Sequence, residues 1–464
     1  MSILYINVIY KQLCLMIKIP NKVKNSQKYI FAIKVIKILR KKSHDAFFVG
    51  GAVRDLLLGL IPKEFDINTS ATPDEIKNLF PVTKLVGQKF GVTLIVEGNM
   101  FIEVATFREE SNYSDKRRPD TVSYTSDVIH DIKRRDFTIN GLLYDPITES
   151  VIDNCDGLKD IEGKVLRTIG DPRERLSEDY LRILRGIRFV NHLSLSIDKD
   201  TESVMRLEVK NIKKISIERI RDEITSILSG NRPGQGLKLL DSFGILDEIL
   251  PELTEMKGIQ QPPDFHPEGD VFVHTCLALD MLSDDKEKGI ELIYGTLFHD
   301  IGKPDTYTLT DRIRFNRHEY VGAIKAQRIC KRLKFSKKQT DLICSLVKEH
   351  MKFGNIKDMK LSTFKKFVSM DSFNEHLRLH KADCLASHGD LSLLEFTENK
   401  MIEIQSEPKL PKPLISGDDL LSLGLKPGPS FKEILSKVFD EQLEGNIKDK
   451  EQGMILVRKM LKIE

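Results

Sequence analysis

Two carboxylates, Glu64 and Asp66, follow a Gly50-Gly51 pair by a short connection. The surrounding sequence reads Val-Gly-Gly-Ala-Val-Arg-Asp-Leu-Leu-Leu-Gly over residues 49–59, then Ile-Pro-Lys-Glu-Phe-Asp-Ile-Asn-Thr over 61–69. Residues two apart on a strand point to the same side, so both acids can face the same divalent ions. Phe47, Phe48 and Val49 predict a strand running into the Gly-Gly turn, with a helix from about Ala52. The turn amides and the helix N-terminus then offer bare N–H groups to a phosphate. A triphosphate held between backbone amides and a carboxylate–metal pair suits nucleotide transfer. Taken singly, a Gly-Gly turn is common, and an acidic pair at i, i+2 is usually a solvated strand face. The combination carries the weight.

Gly-Gly-x-Val-Arg-Asp-x-x-Leu-Gly followed by acid-x-Asp resembles the class II tRNA nucleotidyltransferase and bacterial poly(A) polymerase family. The resemblance implies that Gly50, Gly51 and Arg54 hold a triphosphate and that Glu64 and Asp66 hold Mg²⁺. Glu103, in Phe-Ile-Glu-Val-Ala-Thr-Phe-Arg, falls on a predicted strand expected beside the first two acids, and supplies a third carboxylate. The family usually has Asp at the first acidic position; this chain has Glu64, one methylene longer. Mg²⁺ demands near-octahedral geometry, so that reach must be absorbed by the backbone.

Arg134-Arg135-Asp136 is expected to open a helical segment through Asn140. A double arginine there either caps surface carboxylates or reaches a triphosphate with a fork of donors. The resemblance implies the second, with Arg135 and Asp136 binding phosphates and ribose. Farther on, Asp179, Arg182 and Arg185 stand at i, i+3 and i+6, with Arg188 next, roughly one face of a helix. An Asp accepts from an exocyclic amine and an Arg donates to a ring nitrogen or carbonyl, so the pair can read both C and A. The plain alternative is a surface ion pair worth little. The surrounding Gly170-Asp-Pro-Arg and Arg-Gly-Ile-Arg-Phe are similar to the family's protein-template helix, which implies nucleotide selection by these residues. Glu218-Arg219-Ile-Arg-Asp-Glu223 resembles the next family signature and is read as support for the neck. The loop over 113–122 is either a lid over the primer end or a solvated connection.

A second chemistry is written in the C-terminal half. His274, His299-Asp300, His318, His350 and Asp383 all fall on predicted helices. Each histidine alone is an ordinary surface or core residue. In this order the set resembles the HD phosphohydrolase superfamily, which implies a divalent transition metal and hydrolysis of phosphate esters, such as those at RNA ends. His388 is a weaker ligand candidate.

Around these sites, 464 residues suggest three or four compact units. With 72 basic and 69 acidic residues, net charge does not steer the chain to RNA, so any RNA surface must be a local patch. Six scattered cysteines without a C-x-x-C pair argue against a zinc ribbon or disulfide framework and favour reduced thiols in the cytoplasm. No apolar run suffices for a bilayer span. Residues 1–15 lack a basic n-region and cleavage site; they are expected to be an over-called start, with Met16 the normal one, or a disordered arm.

The fold class expected is α+β. An N-terminal extension (1–26) precedes a mixed-sheet nucleotidyltransferase head (27–165). A helical neck (166–255), an HD helical domain (266–390) and a helical tail (414–464), a plausible tRNA contact, follow. Strands are expected at 82–86, 91–96 and 101–106 and none after about 165. The resemblance covers about residues 28–460 and implies CMP and AMP addition to tRNA 3′ ends from CTP and ATP. The rivals are a poly(A) polymerase, and an HD hydrolase whose head has become an RNA-binding relic. Oligomeric state is not read from the sequence.

Overall fold

The computed structural model describes residues 15–16, 19–86, 91–111, 121–263, 266–404 and 410–463. The chain divides into two compact units, Met1–Leu250 and Pro251–Glu464. Among the described residues no helix is long and apolar enough to cross a membrane.

The first unit is built on one mixed sheet. Its strands are β1 (Leu15–Met16), β2 (Ala46–Val49), β3 (Ile67–Thr69), β4 (Thr83–Val86), β5 (Val92–Glu97) and β6 (Met100–Thr106). A separate ribbon, β7 (Arg108–Ser111) with β8 (Thr121–Tyr124), precedes β9 (Leu143–Asp145) and β10 (Ser150–Ile152), which return to the sheet. The order is β1-β10-β9-β2-β3-β6-β5-β4. β3 and β6 run parallel, in register Ile67↔Val104, and the other pairs in this sheet are antiparallel.

The Gln27–Lys41 helix covers one face of the sheet. Ser26 caps it by accepting from the Tyr29 amide, and Val35, Ile36 and Leu39 are fully buried. The Pro73–Leu79 helix starts with a reciprocal Thr72–Glu75 capping box. Phe48, Ile67, Val104 and Tyr144 belong to the core between sheet and helices. Burying such side chains is the main stabilising term, at ~1.5–3 kcal/mol each.

Helices then dominate. The neck contains Pro172–Glu178, Leu181–Leu193 and Ile217–Leu228. The second unit holds Val271–Asp280, Ile290–Phe298, His318–Arg332, Lys337–Glu349 and Phe373–Ala386. Its last helices, Gly417–Ser422, Pro429–Leu443 and Lys450–Leu461, close on their own cluster of Leu420, Ile434, Val438 and Val457.

The α+β architecture is as expected, with local corrections. Strands do not stop at 165: Val165–Leu166 pairs with Ser196–Ile197, and Tyr307–Leu309 with Ile313–Phe315. Asp136 opens no α-helix. It leads to a single 3₁₀ turn, Thr138–Asn140, and then β9, because Leu143 and Tyr144 are completely buried in the sheet. Residues 112–120, most of the suggested lid, and residues 1–14 lie outside the described residues. Leu15 pairs with Val151, so the sheet takes up the chain there.

Candidate active site and metal centre

Gly50 adopts φ +62°, ψ −128° at the end of β2 and begins the Gly51–Leu57 helix, a backbone turn that L side chains resist. A Cβ at Gly50 would stand 3.4 Å from Arg135 Nη1, and one at Gly51 would stand 3.6 Å from Arg54 Nη2. The bare turn is therefore flanked by both arginines that the motifs singled out. Arg54 is fixed by Asp55 and by Asn140 Oδ1 at 2.9 Å. The backbone stays free to approach an anion while two guanidinium groups stand over it.

Glu64, Asp66 and Glu103 line one small recess with Lys28, Phe65 and Phe101. Asp66 immediately precedes β3 rather than lying on it, and Phe65 between the two acids turns into the core. Parallel pairing of β3 with β6 brings Glu103 beside Asp66. Burial, then Glu103 and Glu64, push the Asp66 carboxyl up to about 6, against the pull of Arg135. Such mutual repulsion is relieved by a divalent cation. Glu64 is exposed on a connection, where backbone adjustment can absorb its extra methylene. The head acids nevertheless stand farther apart than a compact ligand set. Among the described residues, every group of three donors within 4.8 Å lies in the second unit.

The arginine pair has an anchor that the motif reading passed over. Asp131 is completely buried, and its carboxylate accepts from Arg134 at 2.7 and 2.9 Å and from Arg135 at 3.1 and 3.3 Å. These ion pairs hold its pKa below the usual value although burial alone would raise it. Asp136 is also occupied: Asn140 Nδ2 and the Phe137 amide donate to one oxygen, and Arg185 to the other at 2.7 and 2.8 Å. Arg188 pairs with Glu223 at 2.8 Å and lies over the Phe189 ring.

Asp179 and Arg182 do not share one helix. Pro172–Glu178 ends at Asp179, whose φ −150°, ψ 103° is extended, and a new helix runs from Leu181 to Leu193. The expectation of a single face through Asp179, Arg182 and Arg185 is corrected to a carboxylate at the joint and arginines on the helix beyond. Arg219 donates to both oxygens of Asp179, at 2.6 and 3.2 Å. Arg182 donates to Glu178 at 2.5 Å and to the carbonyls of Arg175 and Arg134 at 2.5 and 3.0 Å.

In the second unit the structure brings all six predicted ligands together. His274 Nε2 lies 3.2 Å from His299 Nε2, and His318 Nε2 lies 3.2 Å from His350 Nε2. Asp300 stands between the pairs: one oxygen lies 3.3 Å from His299, the other 3.4 Å from His318. Asp383 reaches His274 at 3.0 Å. Every histidine has its Nδ1 engaged: His299, His318 and His350 on the carbonyls of Thr296, Phe315 and Val347, His274 on Glu268 at 2.7 Å. A carbonyl only accepts, so Nδ1 carries the proton and Nε2 presents a lone pair to the centre. Two unprotonated nitrogens 3.2 Å apart repel, and either a proton on one of them or a metal ion between them relieves the contact. Three donor groups suit a divalent ion: His274–His299–Asp300 and Asp300–His318–His350, which share Asp300, and His266–Glu268–His274.

Burial would raise Asp300, yet Lys303 and His299 hold it well below the carboxylate range, ready to ligate. A cavity of about 470 Å³ opens beside the cluster, lined in part by Lys303, Arg314, Phe315, His266 and exposed His388.

Family models match three regions. Residues 46–167 match the poly A polymerase head domain, 194–257 the "probable RNA and SrmB-binding site of polymerase A", and 272–387 the HD domain. The CCA-adding enzyme of Lactococcus lactis subsp. cremoris is 30% identical over 447 residues, 94% of this chain and 98% of that relative. The chain belongs to the CCA-adding enzyme family. The CCA-adding enzyme of Levilactobacillus brevis is 40% identical over 231 residues; the match spans 50% of this chain and 58% of that relative. The crystal structure of the Bacillus stearothermophilus CCA-adding enzyme in complex with CTP shares the fold, with TM-score 0.71 and 23% identity over 94% of this chain and 98% of that one. The Thermotoga maritima CCA-adding enzyme complexed with tRNA superposes with TM-score 0.59 at 19% identity, over 96% of this chain and all of that one.

Asp131, His266 and Glu268, which hold these motif residues in place, belong to no motif themselves. Asp131 stands three and four residues before the arginine pair, the spacing of one helical face, and that was the available signal. His266 and Glu268, in His-Pro-Glu, lie on the approach to His274, and Glu268 also accepts from His266 at 2.9 Å. Their coupling depends on a loop that periodicity does not register.

Proposed function

We propose that this chain adds CMP and AMP to tRNA 3′ ends from CTP and ATP, without a nucleic-acid template. The observation that carries this reading is the convergence of the Gly50-Gly51 turn, Arg54 and Arg135 on one side and Glu64, Asp66 and Glu103 on the other. The turn amides and the two arginines hold the triphosphate. Glu64 and Asp66, assisted by Glu103, would hold Mg²⁺, which would supply charge neutralisation and lower the pKa of the RNA 3′-hydroxyl. That hydroxyl attacks the α-phosphorus, and pyrophosphate leaves toward Arg54 and Arg135. Asp179 accepts the exocyclic amine of C or A, and Arg182 donates to the neighbouring ring nitrogen or carbonyl. Arg185 and Arg188 act beside them as struts to Asp136 and Glu223. The family relatives favour CCA addition over poly(A) synthesis. The free thiols among the described cysteines fit work in the cytoplasm.

The decisive experiment is primer extension at single-nucleotide resolution on a tRNA lacking its CCA, with Mg²⁺ and CTP, ATP or both. Two additions with CTP and a stop after one further ATP support the reading. A long ATP ladder makes the chain a poly(A) polymerase.

A second activity is proposed for the four-histidine centre: hydrolysis of phosphate monoesters or cyclic phosphates at RNA ends. Lys303 and Arg314 stand on the cavity wall, Lys303 paired with Asp300 at 2.6 Å and Arg314 with Asp311 at 2.5 Å, where an anionic substrate could draw on them. Asp300→Ala should remove this activity and leave nucleotide addition.

A further inference from the structure

Asp179 and Arg182 are opposite charges three residues apart, and the default for such a pair is to bond to each other. A pair bonded to each other would turn the reading edges of both side chains toward one another rather than toward a base. The structure keeps them apart: Arg182 is held by Glu178 and two carbonyls, and Asp179 by Arg219.

The acceptor count on Asp179 is specific. A carboxylate offers about four lone-pair sites, two on each oxygen. Oδ1 receives Arg219 Nη1 at 3.2 Å and the Leu181 amide at 3.1 Å, which fills it. Oδ2 receives Arg219 Nη2 at 2.6 Å, which leaves one site. An exocyclic amine of cytosine or adenine needs one acceptor. The carbonyl that uracil or guanine presents there would meet a lone pair instead.

We propose that Arg219 is a specificity-determining positioning residue. Its fork holds Asp179 away from Arg182 and leaves a single acceptor, on Oδ2, aimed at the incoming base. Arg219 stands on the Ile217–Leu228 helix, so the second neck signature serves nucleotide choice as well as neck support. The inference rests on the base-reading role given to Asp179 above. The planar two-donor contact is what matters: a lysine keeps the charge but offers no matched fork.

The test uses the full chain, a tRNA lacking CCA, and each of the four nucleoside triphosphates separately, with kcat/KM measured for each. Wild type is compared with Arg219→Ala, Arg219→Lys and Asp179→Ala, with thermal unfolding followed for all. Arg219→Ala should lower the CTP-over-UTP and ATP-over-GTP ratios by at least about tenfold, the equivalent of one well-placed hydrogen bond. Arg219→Lys should fall between it and wild type. Equal loss for all four nucleotides, with the ratios unchanged, would mean a purely structural role and overturn the inference. If Arg219→Ala does not fold, Arg219→Lys decides: an unchanged ratio overturns the proposal. Should Asp179→Ala keep wild-type ratios, the base-reading assignment itself is wrong. Should Asp179→Ala lose them while Arg219→Ala keeps them, only the role of Arg219 is wrong.

Discussion

Arg135 Nη2 lies 3.1 Å from Asp131 Oδ2, and that carboxylate is completely inaccessible to solvent. The arginine beside the Gly50 turn is thus aimed from behind by a buried charge rather than left to find its own rotamer. Asn68 on β3 donates to the same oxygen, so the aim is referenced to the sheet that carries the acids.

Asp131→Ala should be severe, because it strands two largely buried guanidinium groups. Removing one partner of a buried pair costs about 3–5 kcal/mol. We expect a fall of several degrees in Tm and at least about a tenfold loss of kcat/KM for CTP and ATP alike, with base ratios retained. Thermal unfolding and four-nucleotide kinetics check it.

Asp66 should trade stability for function. Its carboxyl is raised from 3.8 to about 6, so the folded state holds a proton that the unfolded state has lost. Stability from this group is therefore complete below about pH 4 and falls as pH rises through about 6. Asp66→Asn removes the loss. Without Mg²⁺ at pH 7 it should be more stable than wild type by about 1–2 kcal/mol. It should also be inactive in nucleotide addition. Urea titrations at pH 4.5 and 7.5 should show the gain only at the higher pH.

The shared carboxylate of the second centre predicts a stoichiometry. The intact chain should retain two transition-metal ions per molecule after dialysis, measured by mass spectrometry of the metals. Asp300→Ala should lose both, since His274–His299–Asp300 and Asp300–His318–His350 both include it. Hydrolysis of a phosphate monoester should vanish while CCA addition persists.

Glu268→Gln should loosen His274, whose Nδ1 donates to the Glu268 carboxylate at 2.7 Å. Such outer partners typically change metal affinity about 10–100-fold. Competition with a chelator should reveal weaker retention, with the Tm of the loaded protein lowered in step.

Much of this was readable in the chain because the chemistry sits in short segments. Gly50-Gly51, Glu64/Asp66 and Arg134-Arg135 are neighbours in sequence, so each group stays together in space although Glu64 and Asp66 lie on the connection before β3 and not on a strand. Glu103 was legible as the acid of a predicted strand lying beside the first two, and β3–β6 pairing sets it next to Asp66. The histidines were legible as an ordered set of donors. What the sequence hid is where one helix gives way to the next. Asp179 looked helical because Pro172–Leu193 has few breakers, yet the chain extends at that residue and restarts. Asp136 looked like a helix start, but the burial of Leu143 and Tyr144 in the sheet overrode local propensity. Partners distant in sequence, such as Arg219 for Asp179, appear only once the helices pack.

Residues 134–136 send three consecutive groups to three destinations. The Arg134 carbonyl receives Arg182, the Arg135 guanidinium stands over the Gly50 turn, and the Asp136 carboxylate takes Arg185. Two peptide units, a span of at most roughly 7 Å between the outer Cα atoms, separate these attachments. They act as a built-in ruler. Under the roles proposed for Arg135 and Arg182, the spacing between phosphate grip and base reader is metered in covalent bonds.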